Sequence, residues 1–213
     1  MIIRSPEFLA TSISLSTVYL LYLILRERKK VMTHKLKKHG LNPRLRSRII
    51  YQFSRNLILM SRPRKVELIG SDDLAGTLGV SIHFGPWELI GPALVQRGIK
   101  FGAITRSYGD GIDTFLKIFR SGLGIKTFYS FEMLKIKKFL KGGGMVGMMM
   151  DGNTLWARLE KARRLASVLK VKLRSGIILP INGQIYLITG DINFEEVVRE
   201  YPEHYAWFYI AHS

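Results

Sequence analysis

Two residues suited to acid–base work lie five positions apart at the end of an apolar run, in His83-Phe84-Gly85-Pro86-Trp87-Glu88. A carboxylate bonded to one imidazole nitrogen fixes the tautomer and leaves the other nitrogen as a general base. Gly85 permits a tight turn and Pro86 starts a helix, so the chain can fold Glu88 back toward His83. The stretch has no serine and the whole chain has no cysteine, so the base would act on a hydroxyl brought by the substrate. The plainer alternative is a satisfied buried histidine beside a first-turn acid that meets the helix macrodipole. Two more polar residues end apolar runs: Arg106 after FGAIT and Asp151 after MVGMMM. If these runs are parallel strands, His83, Arg106 and Asp151 emerge at the carboxyl edge of the sheet, where open α/β sheets bind ligands. Arg120, in the last turn of the next helix, can join them. The alternatives are a surface charge for Arg106, a macrodipole partner for Arg120 and a turn residue for Asp151.

The elements that must position these groups follow from periodicity. Strands are expected at 76–82, 101–105, 125–130, 145–150 and, as a hairpin about Asn182-Gly183, at 176–181 and 184–188. Helical patterns fill 86–98, 112–120, 132–141, 154–172 and 195–204. Strands alternating with helices predict an α/β fold with a mixed, largely parallel sheet flanked by helices. Gly142–Gly144 is not a phosphate loop, because no Gly-Lys-Ser/Thr follows. His34, His39, His204 and His212 show no metal-ligand spacing, and the chemistry requires neither metal nor bound cofactor.

The chain has 213 residues, 47% of them hydrophobic, which excludes a disordered or low-complexity protein. Its charge of +17 is local: residues 26–65 hold 14 Lys/Arg against Glu27 alone, a net of +13. Just before them, Phe8–Leu25 is an uncharged run whose eighteen residues make a helix of about 27 Å, enough for a bilayer core. An uncleaved N-terminal membrane helix (1–25) is expected, with a cleaved signal or a buried helix as alternatives. The basic flank places the following domain on the cytoplasmic side. Asn42-Pro43 starts an amphipathic helix. Leu45, Ile49, Ile50, Phe53, Leu57 and Met60 line one side, and Arg44, Arg48 and Arg55 another. Residues 26–65 therefore read as a segment facing an anionic phospholipid bilayer, as a helix packed on the domain, or as both. No recognition motif for nucleic acid accompanies the charge.

SIHFGPWELIG resembles the H-x4-D/E block of the lysophospholipid acyltransferase superfamily, and most closely that of the bacterial lipid A biosynthesis (lauroyl/myristoyl) acyltransferases. VELIGSDDL (66–74), RSYGDGIDTFLKIFRSGLGI (106–125), LKGGGMVGMMMD (140–151) and YPEHYAWFY (201–209) are similar to further blocks of that family, in the same order. The sequence departs from the pattern at Pro86, where Asn is usual, and at Gly152, where Gln is usual. It is also shorter between Asp151 and Tyr201. The Phe-Pro-Glu-Gly-Thr block of the glycerophospholipid acyltransferases is absent.

The resemblance implies an O-acyltransferase domain over 66–213, active in lipid A and lipopolysaccharide biosynthesis at the cell inner membrane. The donor would be acyl carrier protein or acyl-CoA, and the acceptor a hydroxyl of a membrane glycolipid. Alternatives are another lysophospholipid or glycolipid acceptor, or a basic membrane-anchored scaffold without activity. In the enzyme reading Glu88 orients His83, and His83 takes the hydroxyl proton. A backbone N–H near Gly85, or Arg120, meets the oxyanion. Arg106, Arg120 and Asp151 line the substrate site.

Overall fold

Short apolar runs separated by amphipathic stretches become strands and crossovers, as their periods dictate. The computed structural model describes residues 29–60, 65–107, 109–151 and 159–207. The strands are β1 (Val66–Gly70), β2 (Leu78–Ser81), β3 (Phe101–Thr105), β4 (Lys126–Tyr129), β5 (Met145–Met149), β6 (Leu173–Ile181) and β7 (Gln184–Gly190). They form one sheet in the order β1-β7-β6-β2-β5-β3-β4. Only β6 and β7 pair antiparallel; the other neighbours run parallel. The antiparallel pair is closed by Asn182 and Gly183 at φ 48° and 84°, the left-handed pair that a two-residue type I′ hairpin requires. β1 was not expected from the sequence.

The helices are α1 (Lys29–Lys38), α2 (Leu45–Met60), α3 (Ile90–Val95), α4 (Asp110–Gly122), α5 (Met133–Lys141), α6 (Leu159–Leu169) and α7 (Phe194–Glu200), with 3-10 turns at Trp87–Leu89 and Pro202–His204. The helix expected over 86–98 is thus a 3-10 turn followed by a short α-helix. Gly91 lets it lie against the sheet, since a Cβ there would stand 2.5 Å from the Ile125 side chain. The helix expected over 154–172 is described from Leu159 onward.

Two core clusters result. Leu78, Phe128, Ile136, Leu140, Val146 and Ala166 pack the sheet against α5 and α6. The larger cluster joins Ile82, Phe84, Trp87, Leu94 and Ile178 to Met32 and Leu36 of α1 and to Ile49 and Phe53 of α2. Each such side chain contributes about 1.5–3 kcal/mol on burial. Of the apolar stripe of the basic segment, Ile49 and Phe53 are buried in the core and Leu45 and Ile50 pack against it, while Arg44, Arg48 and Arg55 remain exposed; the side chains of Leu57 and Met60 lie outside the described residues.

The expected membrane-spanning element is corrected. Among the described residues no helix is long and apolar enough to cross a membrane. The longest of them, α2, has 16 residues, including Arg46, Arg48 and Arg55, whereas a span needs roughly 20 apolar ones. Among the described residues the fold is a mixed α/β sheet without a spanning helix, and the inner-membrane placement and transmembrane character inferred from that helix are not supported. Phe8–Leu25, on which the expectation rested, lies outside the described residues.

Candidate active site

Register brings the key pair together. β2 and β5 run parallel with Ser81 opposite Met149 at the end of the ladder. Continuing each chain by two residues sets His83 against Asp151. The Asp151 carboxylate accepts twice from His83: the backbone N–H donates to Oδ2 at 2.9 Å, and Nδ1 lies 2.8 Å from Oδ1. Asp151 is 1% exposed and the His83 side chain 12%. An ionised carboxylate in that position makes Nδ1 the protonated nitrogen and Nε2 the basic one. The Trp87 ring meets the imidazole edge-on at 5.2 Å and is itself stacked on Phe53 of α2 at 5.9 Å. The imidazole is thus held by one carboxylate oxygen, the other oxygen holding the His83 backbone, and by an aromatic wall.

The carboxylate that orients His83 is therefore Asp151, 68 residues away, and not Glu88. Glu88 sits in the 3-10 turn and faces Arg120 of α4, with Oε1 3.6 Å from Nη2. That separation is an ion pair and not a hydrogen bond. Arg120 has its guanidinium largely covered, and among the described residues its Nη1 finds no hydrogen-bond partner. A buried guanidinium N–H left open is costly, so this one suits an anionic oxygen brought by a ligand. Arg106, one residue past β3, is exposed at the same edge.

His83, Glu88, Arg106 and Arg120 all line one cavity of about 720 Å³, within the range of small-molecule sites. Its walls are mostly apolar: Leu94, Phe101, Ile125, Met145 and Met148 contribute. Two glycines of adjacent strands, Gly79 and Gly147, face each other in register and keep part of the wall low. A Cβ at Gly147 would stand 2.6 Å from the Phe101 ring, and one at Gly79 2.5 Å from the Met145 methyl.

Gly85 does something other than expected. Its N–H donates to the His204 carbonyl at 2.9 Å, so it is not available to an oxyanion. Its φ is 57°, and a Cβ would come 2.1 Å from the Ile178 carbonyl oxygen. Glycine is required here for close approach of the loop to β6.

The C-terminal stretch 201–207 braces the site. Phe84 and Tyr205 form an antiparallel bridge, and the Ala206 N–H donates to the His83 carbonyl at 2.9 Å. The Tyr205 ring is buried, and its hydroxyl hydrogen-bonds Asp151. Burial first, and the neighbouring carboxylate second, hold this phenol far above its ordinary range, so it is a neutral donor. Trp207 packs edge-on against Tyr205 and donates from Nε1 to the Pro202 carbonyl at 2.7 Å. His204 is pushed below its usual value by burial, with Arg55 adding to this and Glu203 opposing it. The signal for Trp87 and Tyr205 was present as aromatic residues inside the two blocks, but not their contacts.

No protein-family model matches the chain, and no curated protein matches it.

Proposed function

We propose that this protein is an O-acyltransferase that moves a fatty acyl group from an acyl thioester, carried by acyl carrier protein or CoA, to a hydroxyl of a glycolipid such as a lipid A precursor. The observation that carries the reading is the His83–Asp151 pair opening into a largely apolar cavity that also presents Arg120. The ordered sequence blocks around His83, Arg120, Asp151 and Tyr205 support it.

Asp151 holds the imidazole with its proton on Nδ1. Nε2 takes the proton of the acceptor hydroxyl as that oxygen attacks the thioester carbonyl. The tetrahedral oxyanion is met by the open Nη1 of Arg120. Collapse breaks the C–S bond, and the departing thiolate recovers the proton from Nε2. The ester forms, the thiol leaves, and His83 returns to its starting state. Apolar walls around Phe101 and Met145 receive the acyl chain, at about 0.8 kcal/mol for each methylene taken from water. Arg106, exposed at the rim, meets a phosphate of donor or acceptor.

The test is mass spectrometry of lipid acceptors after incubation with acyl-carrier-protein and acyl-CoA donors. A product heavier by one acyl group, dependent on His83, supports the reading. No acyl product from any donor–acceptor pair counts against it and leaves a non-enzymatic scaffold.

A further inference from the structure

Three backbone and side-chain links tie the C-terminal stretch to the His83 loop: Gly85 N–H to the His204 carbonyl, Ala206 N–H to the His83 carbonyl, and Tyr205 hydroxyl to Asp151. The first two fix where Tyr205 lies relative to His83, because residues 84 and 205 are bridge partners. The third lands on the carboxylate that already accepts from both the N–H and the Nδ1 of His83. That carboxylate is 1% exposed, so protein donors must satisfy its oxygens.

We infer that Tyr205 is a positioning residue of the site: its hydroxyl holds the Asp151 carboxylate in register with His83, so that the imidazole presents Nε2 to the cavity. This rests on the acyltransferase reading for its rate consequence, but its structural content does not. The imidazole is faced by Asp151 and the neutral Trp87, and shares the cavity with the Glu88–Arg120 pair and Arg106.

Tyr205→Phe keeps the ring packing against Trp207 and removes only the hydroxyl. In the full chain, the Nδ1 proton of His83, followed by NMR and assigned by its loss in His83→Gln, should shift and exchange with water faster than in wild type. Acyl transfer should lose about tenfold in kcat with KM unchanged, the size expected for one hydrogen bond to a buried charge. A folded Tyr205→Phe protein with unchanged Nδ1 proton resonance and exchange overturns the inference. If that variant fails to fold, 3,5-difluorotyrosine placed at 205 keeps the shape and strengthens the donor. The Nδ1 proton should then move opposite to its usual response to a stronger acceptor, and no movement overturns the inference. If wild type transfers no acyl group, the two NMR arms still decide it, so its failure is distinct from failure of the proposed activity.

Discussion

Replacing Asp151 by asparagine tests which carboxylate serves His83. The amide keeps the shape of the carboxylate and one acceptor oxygen, enough for the His83 backbone N–H. Its NH2 group then faces Nδ1, which must become the acceptor. The ring proton moves to Nε2, the atom that must take the hydroxyl proton, and the base is lost. General-base catalysis is worth ~10²–10⁴-fold, so Asp151→Asn should lose most of that range in kcat. Glu88→Gln gives the contrast. Glu88 sits 3.6 Å from Arg120 in a partly exposed pair, and such pairs are worth at most about 1 kcal/mol, roughly fivefold in rate. Steady-state acyl transfer with thioester consumption as the readout measures both, with circular dichroism as the control for folding. The reasoning is refuted if folded Asp151→Asn turns over like wild type, or if Glu88→Gln loses more than Asp151→Asn.

Other expectations follow from the same contacts. Gly85→Ala puts a methyl at φ 57° and 2.1 Å from a backbone oxygen, so denaturant melts should show a loss of at least about 2 kcal/mol. Gly147→Ala drives the Phe101 ring, now 2.6 Å from the new Cβ position, into the cavity. A panel of donors should then show a preference for shorter acyl chains, and an unchanged chain-length profile would count against the cavity as the acyl site. Arg120→Ala should lower kcat/KM while leaving the melting temperature within a few degrees. His204 has a folded value below its ordinary 6.5, so the unfolded chain takes up its proton first as pH falls. Stability should therefore drop below about pH 6.5, by no more than ~1.4 kcal/mol per unit, and His204→Gln should flatten that drop in thermal melts.

The sheet was legible because its runs are short, apolar and separated by helical patterns. FGAIT became β3 at its expected bounds, and Asn182-Gly183 became the hairpin turn. The shared edge was legible too, since polar residues ending parallel strands must emerge together. The partner of His83 was not. Five-residue proximity favours Glu88, but the choice is made by the register of β2 on β5, a non-local fact that no local spacing encodes. The role of Gly85 is hidden for a related reason: its N–H is taken by His204, which lies far along the chain. β1 went unseen because VELIG is short and sits at the sheet edge, paired only to β7. The amphipathic pattern of 45–60 separates two faces, and packing, not pattern, takes Ile49 and Phe53 into the core while Arg48 and Arg55 stay exposed.

The most direct test of the central claim is acyl transfer by His83→Ala beside wild type, followed by mass spectrometry of the acceptor lipid. Wild type should add one acyl group to a hydroxyl, and the folded variant should be slower by ~10²–10⁴-fold. A folded His83→Ala protein with wild-type turnover would contradict the mechanism.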